Sequence, residues 1–544
     1  MLYRVISRIL GKYLFYFSLI LFIPLVVSLY FDFIEKSLHP KSSLAFLETI
    51  VISFALSFVF RFWGRKSRGN LHRRESIFLV VLIWLMSALV GSFPFIFSGT
   101  LTDPIDAYFE TMSGFTTTGA SVICPKKYDG AGREVLIHDT NVHIPHKTYS
   151  YYGTIAPIRD PNTRTIVYTG VEAVSKGVLF WRSFIQWLGG MGIVVLFLSI
   201  LPNLAVGGRF LFQTEVPGPT KEALTPRIQE TSSILWKLYL GMTVAEIFLL
   251  IWTNPKMPLF DVFCTTFSTL STGGFTVRNA SIAAYNNPYT DWIIIFFMIF
   301  GSVNFAYYFH LIKRKFQRVY EMDLFVFLGF IIIGAILVSL NLIGSPQVLS
   351  DGSEITYTTG QAVRYGVFQA VSAQTSTGFA TANYDMWPFA PQLIMLLLMF
   401  VGGMSGSTAG GIKTSRFYIL FKIVIDKIEE IFRPEKVRPL RVGQKELDNK
   451  IRSTVLVFFV IAVFFAVAAT VALTLNGVDP ETSISTVTCM LNNIGISFRA
   501  TGPTGTFSIL PPLSKIISIF LMLLGRLEFF AVLLLFIPSF WRHK

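Results

Sequence analysis

Charge is scarce in this chain. Of 544 residues only 14% are Asp, Glu, Lys or Arg, and the 32 acidic residues are outnumbered by 46 basic ones. That shortage excludes a string of water-soluble domains, whose composition is about a quarter charged. Cysteine is scarcer still. Cys124, Cys264 and Cys489 lie far apart and match no metal-ligand spacing, so neither a disulfide framework nor a zinc site is expected. The seven histidines, His39, His72, His138, His143, His146, His310 and His543, all fall at or outside the ends of the apolar stretches. No buried catalytic set is therefore in view, and a membrane-embedded enzyme has nothing to support it. A GxGxxG opening a soluble βαβ unit is also missing, so no nucleotide-binding domain is expected within the chain.

What is present is apolar. Hydrophobic residues make up 52% of the chain and Phe alone occurs 53 times. A helix that crosses a bilayer needs about 20 apolar residues. Windows of that length predict spans near 11–31, 44–62, 76–98, 178–202, 232–253, 289–311, 322–344, 390–425, 453–475 and 512–540. The expected fold is thus an all-α polytopic membrane protein of about ten transmembrane helices. Lys and Arg collect between alternate spans: Arg4 to Lys12, Arg61 to Arg74, Arg209 to Arg227, Lys313 to Arg318, Lys422 to Arg452, and Arg542 with Lys544. The positive-inside rule then puts both termini in the cytoplasm. The net charge of +14 reads as topology, with no nucleic-acid surface implied. The first apolar run has no small-residue cleavage site after it, so a retained span is expected in preference to a signal peptide.

Four short segments repeat one theme: Thr116-Thr117-Thr118-Gly119-Ala120, Ser271-Thr272-Gly273-Gly274-Phe275, Thr375-Ser376-Thr377-Gly378-Phe379 and Asn492-Asn493-Ile494-Gly495-Ile496. Each lies between two predicted spans. Pro104 precedes Gly119, Pro258 precedes Gly273 and Pro480 precedes Gly495 by 15 residues each, while Val363 holds that place in the third segment. Pro suits the first helical position, and Asp103 and Asp479 stand before two of these prolines as N-caps. About three turns of helix fit before each loop, enough to enter from outside and stop midway. Four helix C-termini around one cavity favour a cation. Isolated Ser-Thr-Gly triplets are usually packing sites between helices; four copies with three equal offsets point instead to backbone loops meeting on one axis, where carbonyl oxygens replace an ion's hydration shell. The units divide as an N-terminal two-helix segment (1–75) and four repeats, 76–202 with an outer insertion at 124–176, 203–318, 319–425 and 426–544.

The second helix of each repeat carries a Gly-centred mark: Gly189 to Gly192, Gly301, Gly402 to Lys413, and Gly525. The third, rich in Gly, Ser and Thr, cannot remain continuous helix. A broken intramembrane helix that lines or moves beside a path fits the charge alternation better than a loop between two short spans. Arg526 and Glu528 sit inside the last apolar helix. Two readings of Arg526 stand side by side: it faces the water path and bonds loop carbonyls, or it forms a structural ion pair with Glu528 or another helix. Glu110 and Asp106 on the first short helix either raise local cation concentration or serve capping and packing.

These motifs resemble the Trk/Ktr/HKT superfamily of potassium transporters over nearly the whole chain. The four M1–pore-helix–M2 units, the Gly in each loop, the run ending Gly411-Ile412-Lys413 and the Gly525-Arg526-Leu527-Glu528 stretch carry the resemblance, and the two extra N-terminal helices look like those of the TrkH branch. The resemblance implies a potassium filter built from Thr117, Thr118, Gly119, Ser271, Thr272, Gly273, Ser376, Thr377, Gly378, Asn493, Ile494 and Gly495. It implies a gate at Gly402, Gly403, Ser405, Gly406, Gly410 and Gly411, with Arg526 near it. It further implies a homodimer in the bacterial inner membrane, surrounded by lipid, with a TrkA-type cytosolic nucleotide-binding subunit as partner, potassium as the transported ion and no cofactor on this chain. A sodium-permeable or cation-coupled symporter of the same superfamily is the alternative; Gly119, where Ser would favour sodium, argues against it. One departure is the spacing from loop Gly to second-helix Gly, 71 residues in the first unit (119 to 190) against 28, 25 and 30 in the others (273 to 301, 378 to 403, 495 to 525). The additional residues, within 124–176, read as a solvated β-hairpin cap, with a metal or pH site at His143 and His146 as the weaker alternative.

Overall fold

The computed structural model describes residues 2–542 apart from 36, 68–70, 131, 141–146, 193, 194, 196–227, 316–321, 349–353, 434–440, 443, 444, 447 and 448. His143, His146 and His543, the basic residues Arg68, Arg209, Lys221, Arg227, Arg318, Lys436, Arg438 and Lys544, and the repeat boundaries at 202/203 and 318/319 lie outside the described residues.

The chain is predominantly helical. Among the described residues, six helices are long and apolar enough to cross a membrane: Tyr3–Ile34, Ser43–Gly64, Arg73–Phe97, Glu230–Thr253, Met322–Leu342 and Asn449–Leu475. Two bent helix pairs are long and apolar enough when each is taken as one span, Pro288–Ser302 with Phe305–Ile312 (94°) and Pro512–Arg526 with Phe530–Phe536 (116°). The remaining two expected spans differ from plain helices. Lys176–Gly190 is helical and its continuation falls largely outside the described residues, while the 390–425 stretch divides into Phe389–Phe400 and Thr414–Phe432. Arg73–Phe97 begins before the boundary read at 75/76, and Thr414–Phe432 runs past 425. Charged residues prolong a helix beyond its apolar stretch, so hydropathy places those ends too tightly.

Large apolar side chains such as Trp252, Phe464 and Leu475 stand exposed on the spans, as lipid contact requires. Small polar residues take the opposite role and let helices approach closely. Tyr3–Ile20 packs on Ser43–Gly64 through Ser18 Oγ to Ser53 Oγ (2.8 Å) and Ser57 Oγ to the Gly11 carbonyl (2.6 Å).

Each repeat contains a helix of 12 to 16 residues before its loop: Pro104–Phe115, Leu259–Leu270, Thr359–Gln374 and Pro480–Asn492. Asp103 caps the first by accepting from Ile105 N (2.8 Å), and Asp479 caps the fourth by accepting from Thr482 N (2.8 Å). The second starts one residue later than its proline spacing predicts, because Pro258 occupies the N-cap and not the first helical position. The third starts a turn earlier than Val363, at a capping box between Thr358 and Gln361. That cap does the work which Pro does elsewhere.

The insertion folds as antiparallel hairpins, among them Ile137–Thr140 with Thr148–Tyr151 and Ile158–Arg159 with Ile166–Tyr168. It is not wholly solvated. Tyr149 is buried, donates to Asp479 Oδ2 (2.5 Å) and accepts from Asp479 N (3.0 Å), so the insertion of the first repeat sits on the helix cap of the fourth.

Candidate ion path

The four short helices end alike. A residue with left-handed backbone follows each of them: Thr117 (φ 56°), Thr272 (53°), Ser376 (55°) and Asn493 (52°). Two residues later comes a glycine with φ near 80°: Gly119 (80°), Gly274 (79°), Gly378 (83°) and Gly495 (81°). Between them, Thr118 N, Gly273 N, Thr377 N and Ile494 N turn back to the helix, onto Ser113 O (2.8 Å), Ser268 O (2.8 Å), Ser372 O (3.0 Å) and Cys489 O (3.1 Å). The helix end thus takes up the donors, and the carbonyl oxygens are directed elsewhere.

They lie close against the glycine of the neighbouring loop. A side chain on Gly119 would overlap the Gly273 carbonyl oxygen, one on Gly274 that of Thr377, one on Gly378 that of Ile494, and one on Gly495 that of Thr118. The loops therefore contact one another in the cycle one, two, three, four and back to one. Both the positive φ and the missing space require glycine at these four positions. Gly274, not Gly273, is the equivalent of Gly119. The second triad is Thr272-Gly273-Gly274, one residue beyond the Ser271-Thr272-Gly273 expected from proline spacing, and Pro258 at the N-cap accounts for the shift. The structure brings together the other nine expected residues in matching register.

Polar side chains from the helices behind hold these loops. Gln186 Nε2 donates to Gly273 O (2.6 Å) and Gln186 Oε1 accepts from Phe275 N (3.1 Å). Glu110, with no exposed surface, accepts from Val122 N (2.9 Å) and pairs with Arg182 (2.8 Å). Asp106 pairs with Lys515 (2.5 Å). Both carboxylates are thus neutralised and serve packing, so neither is free to concentrate cations. Arg182 and Gln186 were not singled out from sequence. They lie four residues apart on one face of an apolar helix, and polar residues so placed were the available signal.

Residues 401–413 run as irregular, buried backbone beneath the loops. Thr408 N bonds Gly301 O (3.1 Å) and Thr408 Oγ1 bonds Leu270 O (2.9 Å), the end of the second short helix. Gly410 N donates to Ser376 Oγ (3.0 Å) and Ile412 N to Asn492 Oδ1 (3.2 Å), at the third and fourth loops. Gly402 N closes the segment onto Ile412 O (2.9 Å). A side chain at Gly410 would meet Asn493 Cβ at 2.5 Å. Ser405 and Gly406 lie further out, where Ser405 Oγ meets Ser415 Oγ (2.8 Å) and Gly406 O accepts from Phe305 N (3.1 Å).

Arg526 joins these parts. Its guanidinium donates to Gly189 O (2.5 Å), Gly190 O (2.7 Å), Thr408 O (2.7 Å) and Thr117 Oγ1 (3.2 Å). Glu528 is occupied by Arg416 (2.7 Å). Of the two readings of Arg526, bonding to loop carbonyls is what the geometry shows. One charged fork ties the first loop, the break after Gly190 and the 401–413 segment.

The family described as TrkH, cation transport protein, matches residues 160–543. The chain is 33% identical to the Trk system potassium uptake protein TrkH of Halomonas elongata, covering 99% of each sequence. It is 32% identical to the Trk system potassium uptake protein TrkG of Escherichia coli, again over 99% of each. The crystal structure of the potassium transporter TrkH from Vibrio parahaemolyticus superposes over all of both chains with a TM-score of 0.78 and 27% identity.

Proposed function

The chain belongs to the TrkH family of cation transport proteins, and on that premise we propose that it takes up potassium through a path enclosed by its four glycine loops. The cycle of loop contacts carries this reading. Carbonyl oxygens from Thr118, Thr377 and Ile494, together with those of neighbouring loop residues, replace the water shell of the ion. Selectivity then follows from the number and field of these oxygens, with no fixed charge at the ring. Below it, the 401–413 segment obstructs the path while Arg526 holds it, and its release is the gating step. The protein works in the inner membrane of a bacterium, as a homodimer with both termini cytoplasmic. A TrkA-type nucleotide-binding subunit acts on it from the cytosol.

Growth of a potassium-uptake-deficient bacterium on limiting potassium tests the proposal. The chain is expected to restore growth, more strongly with a TrkA-type subunit present. Restoration of sodium uptake without potassium uptake would overturn the potassium assignment and favour the sodium-permeable reading.

A further inference from the structure

The carbonyl two residues beyond each loop glycine is held by the preceding repeat. Ser121 O accepts from Phe507 N of the fourth repeat (3.2 Å), and Ala380 O from Ala283 N of the second (3.3 Å). Thr276 O accepts from Arg182 Nη1 of the first (3.0 Å), and Ser497 O from Tyr384 Oη of the third (2.9 Å). The four bonds form a second closed cycle on the outer side of the first. Two of its links are backbone N–H groups, and two are side chains.

From this we propose that the outer cycle sets the spacing of the loops, and that Arg182 and Tyr384 are positioning residues for ion selection. The proposal rests on the reading of the loops as a potassium filter. Two physical points support it. A carbonyl that accepts from a neighbour is turned away from the axis, so the cycle marks where ion-facing oxygens stop. A loop held at both ends, by its helix and by its neighbour, keeps its oxygens apart at a distance suited to one ion and cannot close around a smaller one. Tyr384 is fully buried with its ring against Phe498 (5.4 Å between centroids), so its hydroxyl has a fixed position. Arg182 is equally constrained. Its guanidinium lies over the Phe275 ring (4.1 Å) while it pairs with Glu110. Tyr384 is the sharper probe, because Tyr384→Phe removes one oxygen and leaves the ring.

The test is uptake of potassium and sodium into vesicles reconstituted with purified wild-type protein, Tyr384→Phe and, as a control, Tyr13→Phe. Tyr13 is also buried, and its hydroxyl bonds Ser87 Oγ (2.5 Å) on the Arg73–Phe97 helix. Tyr384→Phe is expected to lower the potassium-to-sodium ratio about fivefold, the equivalent of one net hydrogen bond, while Tyr13→Phe leaves it unchanged. A purely structural role predicts lower thermal stability for both variants with the ratio intact, and that result would overturn the proposal. Should Tyr384→Phe not fold, Arg182→Lys is read instead, since it keeps a cation for Glu110 and gives up the arm to Thr276 O. An unchanged ratio there would equally overturn it. Wild-type vesicles without potassium preference would instead refute the filter reading itself.

Discussion

Gly273 and Gly274 are adjacent yet differ in what they tolerate. At Gly274 a methyl group meets the Thr377 carbonyl and the backbone is left-handed. An alanine there costs about 1–2 kcal/mol in backbone strain before any overlap is counted. At Gly273 the obstacle is the Gln186 amide, 2.5 Å from the added carbon, so an alanine there displaces a side chain and its bonds to Gly273 O and Phe275 N without forcing a left-handed backbone. Gly274→Ala is therefore expected to reduce potassium uptake per folded molecule about tenfold more than Gly273→Ala, measured side by side in the same cells. Equal effects would mean that the loop glycines had been put in register wrongly. Arg526 offers a second residue-scale prediction. Its four acceptors include Thr408 O of the irregular segment, so Arg526→Gln, which shortens the fork and removes the charge, should loosen that segment. Uptake normalised to folded protein should rise, with the potassium-to-sodium preference nearly unchanged because the ring lies above. A normalised rate at or below that of the wild type would assign Arg526 to structure alone.

At the scale of elements, the second helix of every repeat is interrupted among the described residues. The breaks follow Gly190, Ser302, Phe400 and Arg526. Among the described residues, the third break alone extends into a segment that reaches other repeats, because its glycines let backbone approach Asn492 and Asn493 where side chains would collide. Its polar groups are nonetheless satisfied by bonds to helix ends, as buried irregular backbone at membrane depth demands. Deleting Ser405–Ala409 removes Thr408 and with it the bonds to Leu270 O, Gly301 O and Arg526. Basal potassium flux without any cytosolic partner is expected to rise. A variant that inserts and folds but conducts no faster would exclude the segment as an obstruction.

For the molecule as a whole, the N-terminal two helices must be joined to the first repeat, and His39 lies at one such joint. It is buried, contacts Glu172 O through Nε2 (3.1 Å) and lies against the Tyr168 ring. Burial lowers its pKa below the ordinary 6.5, nearby Lys176 lowers it further, and the Glu172 carbonyl opposes both. The folded protein thus prefers neutral imidazole. The contribution of His39 to stability is fully present above its unfolded pKa and is lost as pH falls through 6.5 toward the lower folded value. Thermal stability should drop between about pH 7.5 and about pH 5.5, and His39→Gln should flatten that part of the profile. An identical profile in the variant would place the acid sensitivity elsewhere.

Span positions, the fourfold repeat and the caps at Asp103 and Asp479 were legible in the sequence because each depends on local chemistry: apolar length, Pro at a helix start, a carboxylate before it. The irregular 401–413 segment was legible for the same reason, since glycine content alone rules out a stable helix. Register in the second loop was not. Proline marks a helix start only to within a residue, and whether Pro258 is a cap or a first helical residue depends on how the helix is seated. The third helix likewise begins at a capping box whose bonds exist only once Gln361 turns back on Thr358. Partners were the least legible of all. Glu110 finds Arg182, Glu528 finds Arg416, and Arg526 reaches Thr117 and Gly189 across more than three hundred residues. A charge in an apolar helix must find a partner, and the sequence by itself determined that need; only the closure of four repeats around one axis decided which group would meet it.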